Sequence, residues 1–103
     1  MPDITLEGIV NRSGRGKKAV VFIDHKDEIR LKRWWIENHI DTKLDDINHP
    51  ISHRPCPQIG AETTARDIKD RQPVKITIDI RPYVRGGRQR IGIKTVSIEP
   101  IEG

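Results

Sequence analysis

The stretch that decides the fold is VKITIDIRPYVRGGRQRIGIKTVSIE, residues 74–99. From 74 to 80 an apolar residue occupies every second position, and polar side chains lie between them. Strict alternation of this kind is typical of a β-strand that buries one face. The pair Gly86-Gly87 then supplies a turn, after which β-branched residues resume. The stretch therefore predicts a β-hairpin with a basic, glycine-centred tip.

The returning strand of this hairpin changes phase along its length. The apolar positions of 91–93 and those of 96–98 alternate in opposite phases. One extra residue in one strand of an antiparallel pair produces such a change. We therefore expect a β-bulge near Lys94 or Thr95, and we expect Pro82 to end the first strand.

Three more strands are predicted upstream. Residues 4–10 (ITLEGIV) alternate, 19–24 (AVVFID) form a continuous apolar run, and 29–35 alternate again. The composition agrees, because 17 Ile and 6 Val stand against 3 Leu and 3 Ala, and β-branched side chains favour strands. Residues 36–73 lose the alternation and hold an acidic stretch, a Pro-rich loop and a weak capping signal for a short helix near Thr64.

Three strands, a long excursion and two strands fit a small Greek-key barrel of the oligonucleotide-binding (OB) kind. We predict a mainly-β fold, a five-stranded Greek-key OB-type barrel, in which residues 36–73 form a long, partly helical connection between strands 3 and 4. All 103 residues then form a single domain, 1–103. Such barrels bind oligonucleotides or oligosaccharides on the face of strands 2 and 3 and on the loops joining strands 1 to 2 and 4 to 5.

Positive charge is concentrated on these binding elements. Residues 12–33 hold eight cations against three acids, and residues 81–94 hold five cations and no acid. Cations track the phosphates of a single-stranded nucleic acid, and aromatic rings stack on its unpaired bases. The predicted nucleic-acid-binding residues are Arg12, Arg15, Lys17 and Lys18 in the first hairpin, Arg30, Lys32 and Trp34 on the third strand, and Tyr83, Arg85, Arg88, Arg90 and Lys94 in the last hairpin.

The adjacent tryptophans are assigned to opposite faces of the third strand. Successive side chains of a strand point to opposite sides of the sheet, so Trp34 is expected to stack on bases and Trp35 to pack in the core. A bulge, or a helix that begins at Trp34, would reverse the two roles.

A second constellation consists of His39, His49, His53 and Cys56. Imidazole and thiolate bind zinc, but three prolines in the same segment favour a surface loop shaped by proline, so no metal or cofactor is expected. A GxxxxGK[ST] phosphate loop, a GxSxG elbow and an HExxH pair are missing from the sequence. We therefore expect a protein that is not an enzyme.

The compartment expected for the chain is the cytosol, or the host cytosol if the chain is viral. No apolar run approaches the ~20 residues that span a bilayer, so no membrane partner is expected. The start MPDITLEG lacks a signal-peptide pattern. The single cysteine, Cys56, cannot form an internal disulfide, which agrees with a reducing compartment.

Residues 74–99 resemble the closing half of OB-fold single-stranded-DNA-binding proteins of phage and plasmid type. The shared features are a corner at Pro82-Tyr83, a glycine-basic hairpin at Gly86-Gly87, the pair Gly92-Ile93, and a last strand that ends in an acidic residue. The resemblance implies a protein that coats or protects single-stranded DNA in replication or recombination, with low sequence specificity. It also implies a homodimer or a higher oligomer as a common state.

Two other functions stay open at this point. The same face would serve RNA equally well, because discrimination between RNA and DNA depends on contacts to the 2′-hydroxyl. Alternatively, the chain is a small viral or mobile-element protein whose basic patch docks on an acidic protein partner. A metal-dependent nuclease subunit is the least favoured reading.

Overall fold

The computed structural model describes residues 3–11, 20–41, 48–49, 54–55, 57–60 and 68–101. Its elements are β1 (Ile4–Asn11), β2 (Val20–Ile23), α1 (His25–Glu37), β3 (Asn48–His49), β4 (Arg54–Pro55), β5 (Gln58–Gly60), β6 (Pro73–Arg85) and β7 (Arg88–Pro100). Within the described residues, no helix has the length and apolar character needed to cross a membrane.

Five strands form one antiparallel sheet in the spatial order β5-β2-β1-β6-β7, and β3 pairs with β4 separately. β1 is the central strand, and it pairs with β2 on one side and with β6 on the other. In the order β6-β1-β2-β5 the fourth strand of the sheet lies beside the first. The prediction of a mainly-β chain is therefore confirmed, and one helix accompanies the sheet in the described part of the chain.

The core lies on one face of this sheet, which we call the inner face. Alternation along β1 and β6 turns their buried side chains to that face, and three residues of α1 join the same cluster. A fully buried Ile or Leu contributes about 1.5–3 kcal/mol through removal of its apolar surface from water. The buried apolar residues are Leu6, Val10, Val21, Ile23, Leu31, Trp34, Trp35, Ile40, Ile59, Ile68, Val74, Ile76 and Ile78.

The strand predicted at 29–35 is wrong, because these residues belong to α1. The buried side chains of the helix are Asp27, Leu31, Trp34 and Trp35, which follow the helical spacing i, i+4, i+7, i+8. Two acidic residues in the first turn favour the helix further, since they interact with the positive end of its dipole.

The order of elements along the chain is corrected accordingly. The third strand of the sheet is β5, which lies inside the segment predicted as an excursion. The helical connection therefore precedes this third strand and joins it to β2, whereas the sequence predicted it between strands 3 and 4. The short helix predicted from Thr64 begins outside the described residues.

The side chains of α1 also complete the edge of β1 that β2 does not reach. β2 pairs with β1 only from Gly8 onward. Before that point, the carboxylate of Asp27 accepts a hydrogen bond from the Glu7 backbone N–H at 2.8 Å, and Arg30 donates to the Thr5 carbonyl at 3.4 Å. Arg30 also pairs with Asp27 at 3.0 Å. The helix thus satisfies backbone groups that would otherwise lack a strand partner.

The β6–β7 hairpin agrees with its prediction except at Pro82. The register shifts at Thr77/Ile78, which leaves Val96 as the extra residue, next to the predicted bulge. β6 continues through Pro82, which pairs with Ile91. Instead, the Ile91 N–H donates to the Asp41 carboxylate at 2.8 Å, and the Ile91 carbonyl accepts from the Asp41 backbone N–H at 2.9 Å. The ladder therefore requires no N–H from Pro82, and the strand tolerates this proline.

Candidate nucleic-acid interface

β6 and β7 extend beyond the rest of the sheet as a two-stranded arm. β1 pairs with β6 only as far as Ile78, whereas β6 pairs with β7 as far as Arg85. We call residues 79–94 the arm. At its tip Gly86 and Gly87 have φ values of 59° and 76°, and positive φ at both central residues is what a type I′ hairpin turn requires.

The cations of the arm share the outer face, which is the face opposite the core. The register pairs Tyr83 with Arg90, Arg85 with Arg88, and Asp79 with Lys94. Residues paired in this way point to the same side of an antiparallel sheet. Arg81 joins them, because alternate residues of one strand share a face. The cationic face, as we name it, consists of Arg81, Tyr83, Arg85, Arg88, Arg90 and Lys94.

Four of the five cations are exposed, and one of them, Lys94, has an acid, Asp79, opposite it in the register. Arg90 is half-buried. No ion pair joins any of the five to an acid within the described part of the chain. Arg85 and Arg88 lie directly opposite each other, a placement that is destabilising for like charges. The Nε of Arg90 is buried without a hydrogen-bond partner. A polyanion bound here would relieve this repulsion.

Tyr83 lies in the middle of the cationic face, against the backbone of β7. A Cβ atom built on Gly92 would lie 3.1 Å from Cε1 of Tyr83, so the ring packs where the neighbouring strand has no side chain. The residue is only half-buried. The arrangement offers an aromatic surface between cations, which is what a single-stranded nucleic acid needs for base stacking.

The outer face carries mixed charge nearer the centre of the sheet. Lys75 lies in register with Glu7 on β1 and Glu99 on β7, and Glu7 forms an ion pair with Lys26. The hydroxyl groups of Thr5 and Thr77 are hydrogen-bonded there at 2.9 Å. An excess of positive charge on this face is therefore confined, among the described residues, to the arm, where five cations accompany one acid, Asp79.

The other predicted cations do not join this face in the structure described. Arg12, Arg15, Lys17 and Lys18 lie outside the described residues. Arg30 and Lys32 are helical and do not lie on a strand of the sheet, so their predicted place on its outer face is wrong. Arg30 is engaged with Asp27 and Thr5, and Lys32 is exposed on α1.

The predicted position of Trp34 on an exposed strand face is also wrong. Trp34 is 7% exposed and Trp35 9%, and their rings meet edge to face with centroids 6.3 Å apart. Neighbours on a helix are separated by ~100° and not by 180°, so both indoles reach the same core. The prediction that Trp35 packs in the core is confirmed, and neither indole offers a stacking face.

The histidine-cysteine constellation is described only in part. His39 is exposed after α1, and the backbone of His49 belongs to β3. His53 and Cys56 lie outside the described residues. In the portion of the chain that the structure describes, no group of three His, Cys, Asp or Glu side chains is placed to hold a metal ion.

Arg81 lies on the cationic face but is not among the predicted binding residues. The expectation that Pro82 ends the strand places Arg81 at a terminus, outside the hairpin tip. The useful signal is the alternation itself, because positions 79, 81, 83 and 85 share one face if the strand runs through the proline.

Comparisons of this chain with protein-family models, with curated protein sequences and with solved structures found no match. The resemblance of residues 74–99 to single-stranded-DNA-binding proteins therefore stays a prediction.

Proposed function

We propose that this chain is a non-enzymatic single-stranded-DNA-binding protein that engages the strand through the cationic face of the arm. The observation that carries the proposal is a cluster of five cations around one tyrosine, with one acid, Asp79, opposite Lys94 and with no ion pair to an acid in the described residues. Phosphates would neutralise the cations, and unpaired bases would stack on Tyr83. Such a protein coats or protects single strands in replication or recombination.

The proposal includes an OB-type Greek-key barrel as the complete fold. It is supported by the strand order β5-β2-β1-β6-β7, with the first strand between the second and the fourth strands of the sheet. OB barrels use the loop between strands 4 and 5 as a binding element, and the β6–β7 tip occupies that place in the order. The other binding loop would be the basic segment 12–19.

Binding at this face would depend little on base sequence. The attraction between cations and phosphates is the same for every sequence, and each phosphate neutralised on a single strand contributes a slope of ~0.7 in log affinity against log salt. Five cations fully engaged would give a slope of about 3.5 by this rule. Stacking on Tyr83 accepts any base, because every base has an aromatic face.

The test is a titration of a fluorescently labelled thymidine homopolymer, followed by anisotropy at several salt concentrations. The label is needed because both tryptophans are buried and would not report stacking. We expect saturable binding that is much weaker for the duplex of the same length. The triple variant Arg85→Glu, Arg88→Glu, Arg90→Glu should bind at least tenfold more weakly, with a lower salt slope.

A matched control variant distinguishes the effect of the arm's own charges on binding from the effect of the net charge of the chain. The triple variant Lys32→Glu, Arg33→Glu, Lys69→Glu changes the net charge by the same amount at exposed sites away from the arm. It should retain most of the affinity. Unchanged binding by the arm variant, or an equal loss in both variants, would contradict the assigned face.

RNA and acidic proteins are separated from single-stranded DNA in the same assay. A uridine homopolymer tests RNA, and polyglutamate tests an acidic protein surface. The position of Tyr83 favours a ligand with bases, because polyglutamate satisfies the cations but has nothing to stack on the ring. Polyglutamate that competes as well as the DNA strand at equal charge would overturn the proposal in favour of protein docking.

A further inference from the structure

The helix α1 has a second apolar side that faces solvent. Ile29 and Ile36 are 69% and 73% exposed, although isoleucine is among the residues most often buried. They are seven residues apart, so two helical turns bring them to one side of α1. The core-facing residues Leu31, Trp34 and Trp35 occupy the opposite side. Packing within the described residues therefore does not explain why isoleucine occupies these two positions.

Two cations flank the exposed isoleucines. At ~100° per residue, Lys32 lies to one side of the Ile29–Ile36 line and Arg33 to the other. These side chains and Glu37, all of α1, border an open surface region of about 460 Å³. Neither cation is ion-paired with an acid among the described residues. We call Ile29, Lys32, Arg33 and Ile36 the solvent stripe.

Charge distinguishes between the occupants that this stripe can take. If a second copy packed antiparallel on it, Ile29 would meet Ile36, but Lys32 would face Arg33 at the centre, and like charges across an interface are unfavourable. A nucleic acid would neutralise the cations and leave both isoleucines in water. An occupant that has both apolar side chains and carboxylates satisfies all four residues.

We propose that the solvent stripe is a docking site for an acidic amphipathic helix of a partner protein. The apolar side chains of such a helix pack between Ile29 and Ile36, and its carboxylates pair with Lys32 and Arg33, so that two helices lie side by side. The core side of α1 packs on the inner face of the sheet, whereas the cationic face of the arm is on the outer face. The docking site is therefore separate from the proposed DNA site, and it stands on different residues.

The probe is a labelled model peptide with leucines at i, i+4 and i+7 and glutamates at most other positions, titrated with the full chain. A second peptide carries lysines in place of the glutamates. We expect saturable binding of the glutamate peptide that weakens with salt, and little binding of the lysine peptide. Lys32→Glu with Arg33→Glu should lower affinity for the glutamate peptide at least tenfold and raise affinity for the lysine peptide.

The apolar half of the site is tested by the double variant Ile29→Ser with Ile36→Ser. Its affinity for the glutamate peptide should also fall at least tenfold. The matched control is Val96→Ser, since Val96 is about half exposed on β7, and it should bind as the parent chain does. All the substituted side chains are exposed, and thermal melts check that each variant keeps its fold.

Four results would overturn the docking site. One is equal binding of both peptides, and another is unchanged binding by the stripe variants. The third is a concentration-dependent dimer in sedimentation that Ile29→Ser with Ile36→Ser abolishes, because the occupant would then be a second copy. Loss of peptide binding only in the arm variant would place the peptide on the cationic face and also count against the stripe. The thymidine titration is repeated on the stripe variants, so that failure of one site is distinguished from failure of the other.

Discussion

The two halves of the β6–β7 hairpin share their strands and their alternation but have different surroundings. In the proximal half, residues 73–78 with 95–100, the inner-face side chains of β6 are completely buried. In the arm, residues 79–94, the inner-face aliphatics are at most partly buried, and Val84 is 69% exposed. The outer face differs as well, because the charges of the proximal half are mixed, whereas the arm carries five cations and one acid, Asp79.

This difference shows that alternation assigns a residue to a face but does not set how deeply it is buried. The proximal half is covered because β1 pairs with it and α1 packs on the same inner face. The arm extends past β1, so its hairpin has one partner strand fewer. The proximal half therefore contributes mainly to stability, and the arm has surface available for a ligand.

The largest expected effect compares one aliphatic residue from each half. Ile76→Ala should lower the free energy of unfolding by about 2–5 kcal/mol, because it leaves a cavity at a completely buried position. Val84→Ala should change it by less than about 0.5 kcal/mol, as is usual for an exposed site. Urea denaturation measures both values. Similar losses at the two positions would mean that the arm is as well packed as the proximal half.

The contribution of α1 to the proximal half is tested at Asp27. Asp27→Ala should destabilise the chain by about 1–3 kcal/mol, because the Glu7 N–H loses its acceptor and Arg30 its partner. The amide of Glu7 should also exchange with solvent faster. Glu28→Ala is the control, since Glu28 pairs with the exposed His25, and it should leave that exchange rate unchanged.

The aromatic residue of the arm should matter for binding and little for folding. Tyr83→Ala should weaken binding of the thymidine strand by about 1–3 kcal/mol through loss of stacking. Tyr83→Phe keeps the ring and should retain most of the affinity. Anisotropy titrations at one salt concentration give the comparison. Equal losses in the two variants would assign the effect to the hydroxyl group and not to stacking.

A substitution at the tip of the arm should destabilise the fold only through the backbone conformation that the turn requires. Gly86 has φ of 59°, and a Cβ there would meet nothing within 4 Å. Gly86→Ala should therefore destabilise by about 1–2 kcal/mol through the left-handed backbone alone. Asn adopts this conformation more readily than Ala, so Gly86→Asn should lose less stability than Gly86→Ala. Denaturation curves that rank the two variants the other way would contradict this interpretation of the turn.

The smallest expected effect comes from removal of a single cation on the outer face, compared between the two halves of the hairpin. Arg81→Ala should lower the salt slope of strand binding by about 0.7, the value for one phosphate contact. Lys75→Ala should leave the slope unchanged, because Lys75 lies between Glu7 and Glu99. A slope that falls equally in both variants would extend the binding surface into the proximal half.

Sequence reasoning succeeded where the signal was local. The hairpin, its glycine tip and the bulge depend on residues that are neighbours in the chain, and the structure has all three. Four cations and the tyrosine of the cationic face are also among the binding residues predicted from 81–94, and their role in binding stays a prediction. Arg81 is outside the predicted set, although it alternates with Tyr83 and Arg85 along the same strand.

Segment 29–35 was misjudged because a short window fits two periods. Leu31 and Trp35 are four residues apart, so they share a side in a strand and also in a helix. The buried position of Trp34 distinguishes the two, and it follows from contacts with the distant strands of the core. β5 has only three residues, and its place in the sheet comes from pairing with β2, which no local pattern shows.

The sequence by itself determined the β class, the two faces of the hairpin and the concentration of cations at its tip, because side-chain alternation and glycine turns follow from local backbone stereochemistry. The tertiary structure alone decided that α1 covers the inner face, that both tryptophans are buried, and that the arm extends past β1. These outcomes depend on which distant segments pack together, and that choice is made by the burial of apolar surface across the whole chain.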